Sequence, residues 1–130
     1  MAQVPKKIDV FQQESESWKK TLEFILRENA QLKNKLSELL KNNSDNDKSY
    51  LETAEQYQSL FLREDESVNL LRRDVADLEK WLRREIYEDG QIIKGVLHKQ
   101  ARLHKDIKKA QQEFNKLKKQ FLSYLSASER

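Results

Sequence analysis

Thirty positions, spaced alternately four and three residues apart in three runs, hold apolar residues in 26 cases, although only 37% of the chain is hydrophobic. The first run is Ile8, Phe11, Ser15, Trp18, Leu22, Ile25, Asn29, Leu32, Leu36 and Leu39. The second is Tyr50, Ala54, Tyr57, Phe61, Glu64, Val68, Leu71, Val75, Leu78 and Leu82. The third is Ile93, Val96, Gln100, Leu103, Ile107, Ala110, Phe114, Leu117, Phe121 and Tyr124. A mean period of 3.5 residues keeps one stripe of a helix turned toward a partner. The fold expected is therefore all-α, with three long antiparallel helices packed as a coiled-coil-like bundle.

Two breaks organise the pattern into one helical domain, residues 1–130, with helices expected near 5–41, 49–88 and 91–126. Pro5 suits a first helical turn, where its missing N–H costs nothing. The run from Asn42 to Asp47 is built of side chains that compete for backbone hydrogen bonds and favour turns, and Ser49 with Glu52 can form a capping box. Asp89 and Gly90 form the second turn signal. The seam also changes phase there, with Leu78, Leu82 and Ile86 spaced four and four. A stutter inside one continuous helix gives the same spacing, and the alternative is then an elongated coiled-coil dimer. Charge favours the turn. Residues 42–90 carry 7 Lys/Arg and 13 Asp/Glu, residues 91–130 carry 10 and 3, and residues 1–41 carry 8 and 6. Folding the acidic segment back on the basic one relieves repulsion in both. In this pattern the chain resembles small coiled-coil and spectrin-like three-helix proteins; the resemblance implies a bundle and carries no functional residue with it.

Layer matching gives a register. Setting Leu39 beside Tyr50 places Ile25 opposite Glu64 and Asn29 opposite Phe61. Setting Ile86 beside Ile93 places Glu64 near Phe114 and Leu78 near Gln100. The polar seam residues then fall into two neighbourhoods, Asn29 with Glu64 and Ser15 with Gln100, as buried polar groups that seek partners should. Trp18 is expected in the core opposite Leu71, and Trp81 in the core near Ile8 and Phe11. Leu26, Leu40, Leu51, Leu60, Trp81, Ile86, Ile92, Leu97 and Leu125 flank the stripe and widen the apolar face toward what a bundle buries. Phe24, Leu62 and Leu70 lie further round, where they stay exposed or meet a second subunit.

Chemistry-bearing constellations are sparse. The chain has no cysteine, which excludes disulfides and thiol chemistry and is consistent with a reducing, cytoplasmic setting. Basic residues near the N-terminus are followed by no apolar core, which argues against a secretory signal. The longest apolar runs are three residues, Phe24 to Leu26 and Leu60 to Leu62, far short of a membrane span. His98 and His104 project about 240° apart on a helix and cannot share one ion. Glu85, Glu88 and Asp89, near Lys80, Arg83 and Arg84, read as a salt-bridged helix end. Gly90 and Gly95 lack the context of a phosphate loop, and no serine has a histidine in a plausible constellation. No metal, cofactor, small-molecule substrate or catalytic residue is expected.

The positive charge of the last helix is the main functional candidate. Lys94, Arg102, Lys105, Lys108, Lys109, Lys116 and Lys119 lie mostly away from the seam, along roughly 35 to 40 Å at helical rise. Such a stripe can follow phosphates or an anionic surface. The expected function is thus a non-catalytic interaction or scaffold protein, bound to a protein partner or to itself through helix–helix contacts. The alternative is a basic nucleic-acid or anion-binding module using the last helix.

Overall fold

A computed structural model describes the backbone of residues 3–42, 48–85 and 93–128, and the side chains of residues 11–41, 51–82 and 95–127. These residues form α1 (Gln3–Asn42), α2 (Lys48–Glu85) and α3 (Ile93–Ser128). The helix ends differ from the expected ones by one to three residues, and Pro5 falls in the first turn of α1. At 1.5 Å per residue the 40 residues of α1 make a rod of about 60 Å.

Pairs across the interfaces fix the topology. Lys19 meets Glu79 and Lys33 meets Asp65, so α1 and α2 run in opposite directions. Tyr57 meets Gln120 and Trp81 meets Lys99, so α2 and α3 also oppose. Glu14 meets Gln100 and Glu28 meets Lys118, which makes α1 and α3 parallel. The bundle is up-down-up. A helix continuous from α2 into α3 is excluded by this antiparallel packing, and with it the elongated dimer; Asp89 and Gly90 themselves lie outside the described residues, as does the expected loop at 43–47.

The core is the seam. Leu22, Ile25, Phe61, Val68, Val75, Phe114 and Phe121 are almost wholly shielded, together with Asn29 and Ser15. Toward the start of α2 and the end of α3, four rings form a cluster. Phe61 and Phe121 meet edge to face at 4.9 Å between centroids, and Tyr57 lies 5.2 Å from Phe121 and 5.1 Å from Tyr124. Toward the other end, Phe11 and Trp18 meet edge to face at 6.3 Å. The seam residues Ile8, Tyr50 and Ile93 have side chains outside the described residues.

Two expectations about the flanks are corrected. Trp81, expected in the core, is 40% exposed; its ring lies on the flank of α2 that faces α3, with Lys99 Nζ 3.5 Å from the ring centroid. Leu51, Leu60 and Leu97 are likewise exposed, whereas Leu26 and Leu40 pack partly and Leu125 fully against the core. The physical reason is the number of helices. With three, a residue one step off the seam is covered only where a neighbour's side chain happens to reach it. Ile86 and Ile92 lie outside the described residues.

Seam depth also varies, and stability effects should follow it. Leu32 is 3% exposed, and Leu32→Ala is expected to cost about 2–5 kcal/mol, as buried leucine truncations do. Leu71 is only partly buried, so Leu71→Ala should cost less, about 1–2 kcal/mol. Lys119→Ala, on the exposed face, should change stability by less than about 0.5 kcal/mol. Urea unfolding followed by circular dichroism measures all three, and equal losses at Leu32 and Lys119 would mean that the seam is misassigned.

Candidate functional site

The polar residues of the seam form two layers with different chemistry. In the first, Asn29 is fully buried, and its Nδ2 donates to the Phe61 carbonyl and to Asp65 Oδ1, both at 2.8 Å. Lys33, one turn further along α1, donates to the other oxygen of Asp65. Asn29 thus stands opposite Phe61, as the layer count places it, but its donors go to Phe61 and Asp65 on either side of Glu64 rather than to Glu64. Asp65 and Lys33 complete this layer and were not singled out from the sequence. The available signal was spacing, since Lys33 is four residues beyond Asn29 and Asp65 adjoins Glu64.

Glu64 points elsewhere. Its side chain is buried, and burial first, then the charges of Glu113 and Asp65, push its carboxyl from 4.5 up to about 7. Buried acids of this kind occur in active sites, and also in ordinary cores. Neither surface groove described below is lined by Glu64, which leaves the carboxyl without a path to a substrate through them.

The second polar layer, like the first at Asn29 Oδ1 and Glu64 Oε1, holds a buried oxygen without a hydrogen-bond partner among the described residues. Ser15 is buried, and its Oγ has no hydrogen-bond partner among the described residues. Gln100 donates from Nε2 to Glu14 Oε2 at 3.0 Å, on the rim beside Ser15. Glu14 Oε1 lies 3.6 Å from Nδ1 of the largely exposed His104, whose ring is 6.4 Å from that of Trp18. Trp18 is core, as expected, with Phe11 and His104 as its ring neighbours. His98 is exposed. No group of three metal-ligating side chains exists among the described residues, and the carboxylates Glu85, Glu88 and Asp89 lie outside those with described side chains.

Charge pairs between helices run through α1. Its lysines Lys19 and Lys33 reach the acids of α2, and its glutamates Glu14 and Glu28 reach His104 and Lys118 of α3. Between α2 and α3 no ion pair forms among the described residues. Their flanks instead enclose a groove of about 340 Å³ lined by Asp74, Asp77, Trp81, Lys99, Arg102 and Asp106 together with core leucines. A second, wider groove of about 430 Å³ lies between α1 and α3 around Trp18 and His104.

The basic stripe is where the outer surface departs from the ordinary. Arg102, Lys105, Lys108, Lys109, Lys116 and Lys119 are all exposed, and none forms an ion pair among the described residues. Lys94 has its side chain outside them. Lys118, which the stripe omits, turns inward to Glu28 at 2.6 Å. On the sides of the helices turned away from the seam, α1 balances Lys20, Arg27 and Lys41 against Glu16, Glu23 and Glu38. The outward side of α2 sets Arg63, Arg73 and Lys80 against Glu52, Glu55, Glu66 and Asp77. Among the described residues, the side of α3 turned away from the seam carries cations alone as its charged groups, while its carboxylates Asp106 and the exposed Glu113 stand on the flank toward α2. No family model, curated protein or solved structure matches the chain. Among the described residues, no helix is long and apolar enough to cross a membrane.

Proposed function

We propose that this chain is a non-catalytic binding module whose working surface is the outward side of α3, offered to an anionic partner. The observation that carries this reading is the contrast among the three outer faces. Those of α1 and α2 are close to neutral, while that of α3 holds six cations between Arg102 and Lys119, with Asp106 and the exposed Glu113 set to one side on the flank toward α2. A solvated face of a domain with formal net charge +3 has no need to gather its charge on one helix. One-sided positive charge steers anionic partners and orients them on arrival. A cytoplasmic setting accords with the lack of cysteine.

A second reading, helix–helix contact with a protein partner or a second copy, draws on the exposed apolar side chains Phe24, Leu62 and Leu70, which are 50%, 51% and 57% exposed. Phe24 stands on α1, Leu62 and Leu70 stand two turns apart on the outward side of α2, and scattered exposed leucines are common on monomers.

The test is an amide-resolved NMR titration of the whole chain with three soluble or dispersed polyanions: poly-L-glutamate, a short nucleic-acid duplex and anionic lipid vesicles. At least one is expected to bind, with shifts concentrated on the outward residues of α3. Absence of binding to all three at low salt, or shifts spread evenly over α1 and α2, would overturn the reading. Concentration-dependent dimerisation lost on Leu70→Glu would favour the second one.

A further inference from the structure

We infer that the partner of the α3 face is the phosphate backbone of a double-stranded nucleic acid, bound without regard to base sequence. This rests on the reading that α3 meets an anionic partner, and adds which anion it is. The outward side of α3 from Arg102 to Lys119 comprises eight residues: Arg102, Lys105, Lys108, Lys109, Lys116 and Lys119, with Gln112 and Asn115 between them. All eight are exposed. Six are cations and two are amides, and none is apolar or acidic.

Each alternative partner would need something this face lacks. A protein interface gathers aromatic and apolar side chains at its centre and is depleted in lysine, whereas five of these six cations are lysines. A helix lying on a membrane inserts apolar residues beside its cations, and none stands in this stretch. Single-stranded nucleic acid is held largely by aromatic stacking, and the aromatic residues of α3 (Phe114, Phe121 and Tyr124) are turned into the bundle. One arginine among six cations offers little for reading base edges. What remains matches phosphate oxygens: lysine as a point charge, and amide side chains as additional donors.

The stripe is also held rigidly. The opposite side of α3 is locked into the core by Leu103, Ile107, Ala110, Phe114 and Leu117, so the six cations hang on a straight rod. From Arg102 to Lys119 that rod measures about 25 Å at helical rise. A duplex presents one negative charge per roughly 1.7 Å of its axis in an equally stiff array. Two rigid charge arrays can engage along their length without ordering either one.

The experiment is a fluorescence-anisotropy titration of a labelled 24-base-pair duplex of arbitrary sequence with the whole chain, repeated between 50 and 200 mM salt. With five or six phosphates neutralised, the logarithm of affinity is expected to fall with that of salt at a slope of about −5, roughly 1000-fold over this range. An unrelated duplex should bind equally well. Lys109→Ala should lower the slope by about 1, and combined Lys105→Glu, Lys109→Glu and Lys116→Glu should abolish binding while helicity and thermal midpoint persist. Lys20→Glu with Arg27→Glu, on α1, should have a much smaller effect. Poly-L-glutamate, anionic vesicles or a single strand of the same length binding as tightly as the duplex at equal salt would overturn this inference and leave the anionic reading standing. If none of the four binds at 50 mM salt, both fall.

Discussion

Phe121→Ala is expected to destabilise the fold by about 3–5 kcal/mol, the cost of truncating a wholly buried aromatic ring. Phe121 is 0% exposed, and it meets each of the other rings of its cluster: Phe61 at 4.9 Å, Tyr57 at 5.2 Å and Tyr124 at 6.2 Å. Its removal forfeits the apolar burial, three ring–ring contacts and the packing of whatever cannot collapse into the space. For a domain of this size the thermal midpoint should fall by about 10–20 °C. Because Phe121 and Phe61 join α3 to α2, loss of the ring should also loosen the end of α3, visible as faster amide exchange beyond Leu117 than in α1. A midpoint within a few degrees of the parent would mean that the aromatic cluster is not part of the working core.

Glu64→Gln should have the opposite sign and depend on pH. The folded chain holds the Glu64 carboxyl at about 7 against 4.5 when unfolded, so the folded state keeps its proton over a range where the unfolded state has lost it. Stability from this group is therefore fully present below about pH 4.5, declines as pH rises, and is gone above about pH 7. The total swing is on the order of 2–3 kcal/mol. Glutamine keeps the shape and cannot ionise. The variant should match the parent near pH 4.5, gain steadily on it, and exceed it by about 2 kcal/mol at pH 8. The groups around Glu64 are Glu113 on α3 and Asp65 on its own helix, with Asp65 in turn held by Asn29 and Lys33 of α1. Taking the difference between parent and variant cancels the titration of the other carboxylates. Urea midpoints at pH 4.5, 6, 7 and 8 provide the measurement, and parallel curves would show that Glu64 is solvated in the folded state.

Much of the fold was legible because its main determinant is periodic. A residue such as Phe61 or Val75 is buried because it recurs at the seam spacing, and spacing is written in the sequence. The register of α2 on α3 followed as well, since counting layers back from the second turn brings Tyr57 close to Gln120. What sequence reading missed depends on reach rather than on spacing. Trp81 sits one step off the seam, and of the third helix only the Lys99 side chain is seen over its ring, which stays 40% exposed. Asn29 and Glu64 share a polar neighbourhood in the layer count, but an amide donor seeks the nearest good acceptor. The carbonyl of Phe61 and the carboxylate of Asp65 are better placed for it. The basic stripe was legible as composition; that its neighbours on the other outer faces are balanced became visible only once the three helices were oriented.

The ion pairs of α1 have a consequence for handedness. An up-down-up bundle can be closed in two mirror arrangements, with the third helix on either side of the hairpin formed by the first two. Apolar stripes are nearly indifferent to the choice, because each faces the centre in both. The flanks of α1 are not indifferent. One carries Lys19 and Lys33 against the acids of α2, and the other carries Glu14 and Glu28 against His104 and Lys118 of α3. In the mirror arrangement the lysine flank would turn to α3 and the glutamate flank to α2, each helix presenting its other side to its neighbours, so none of these four pairs could form. Exposed pairs of this kind add little to stability individually. Present in one hand and lost in the other, together they favour the observed one, so that α1 acts as the chiral key of the fold.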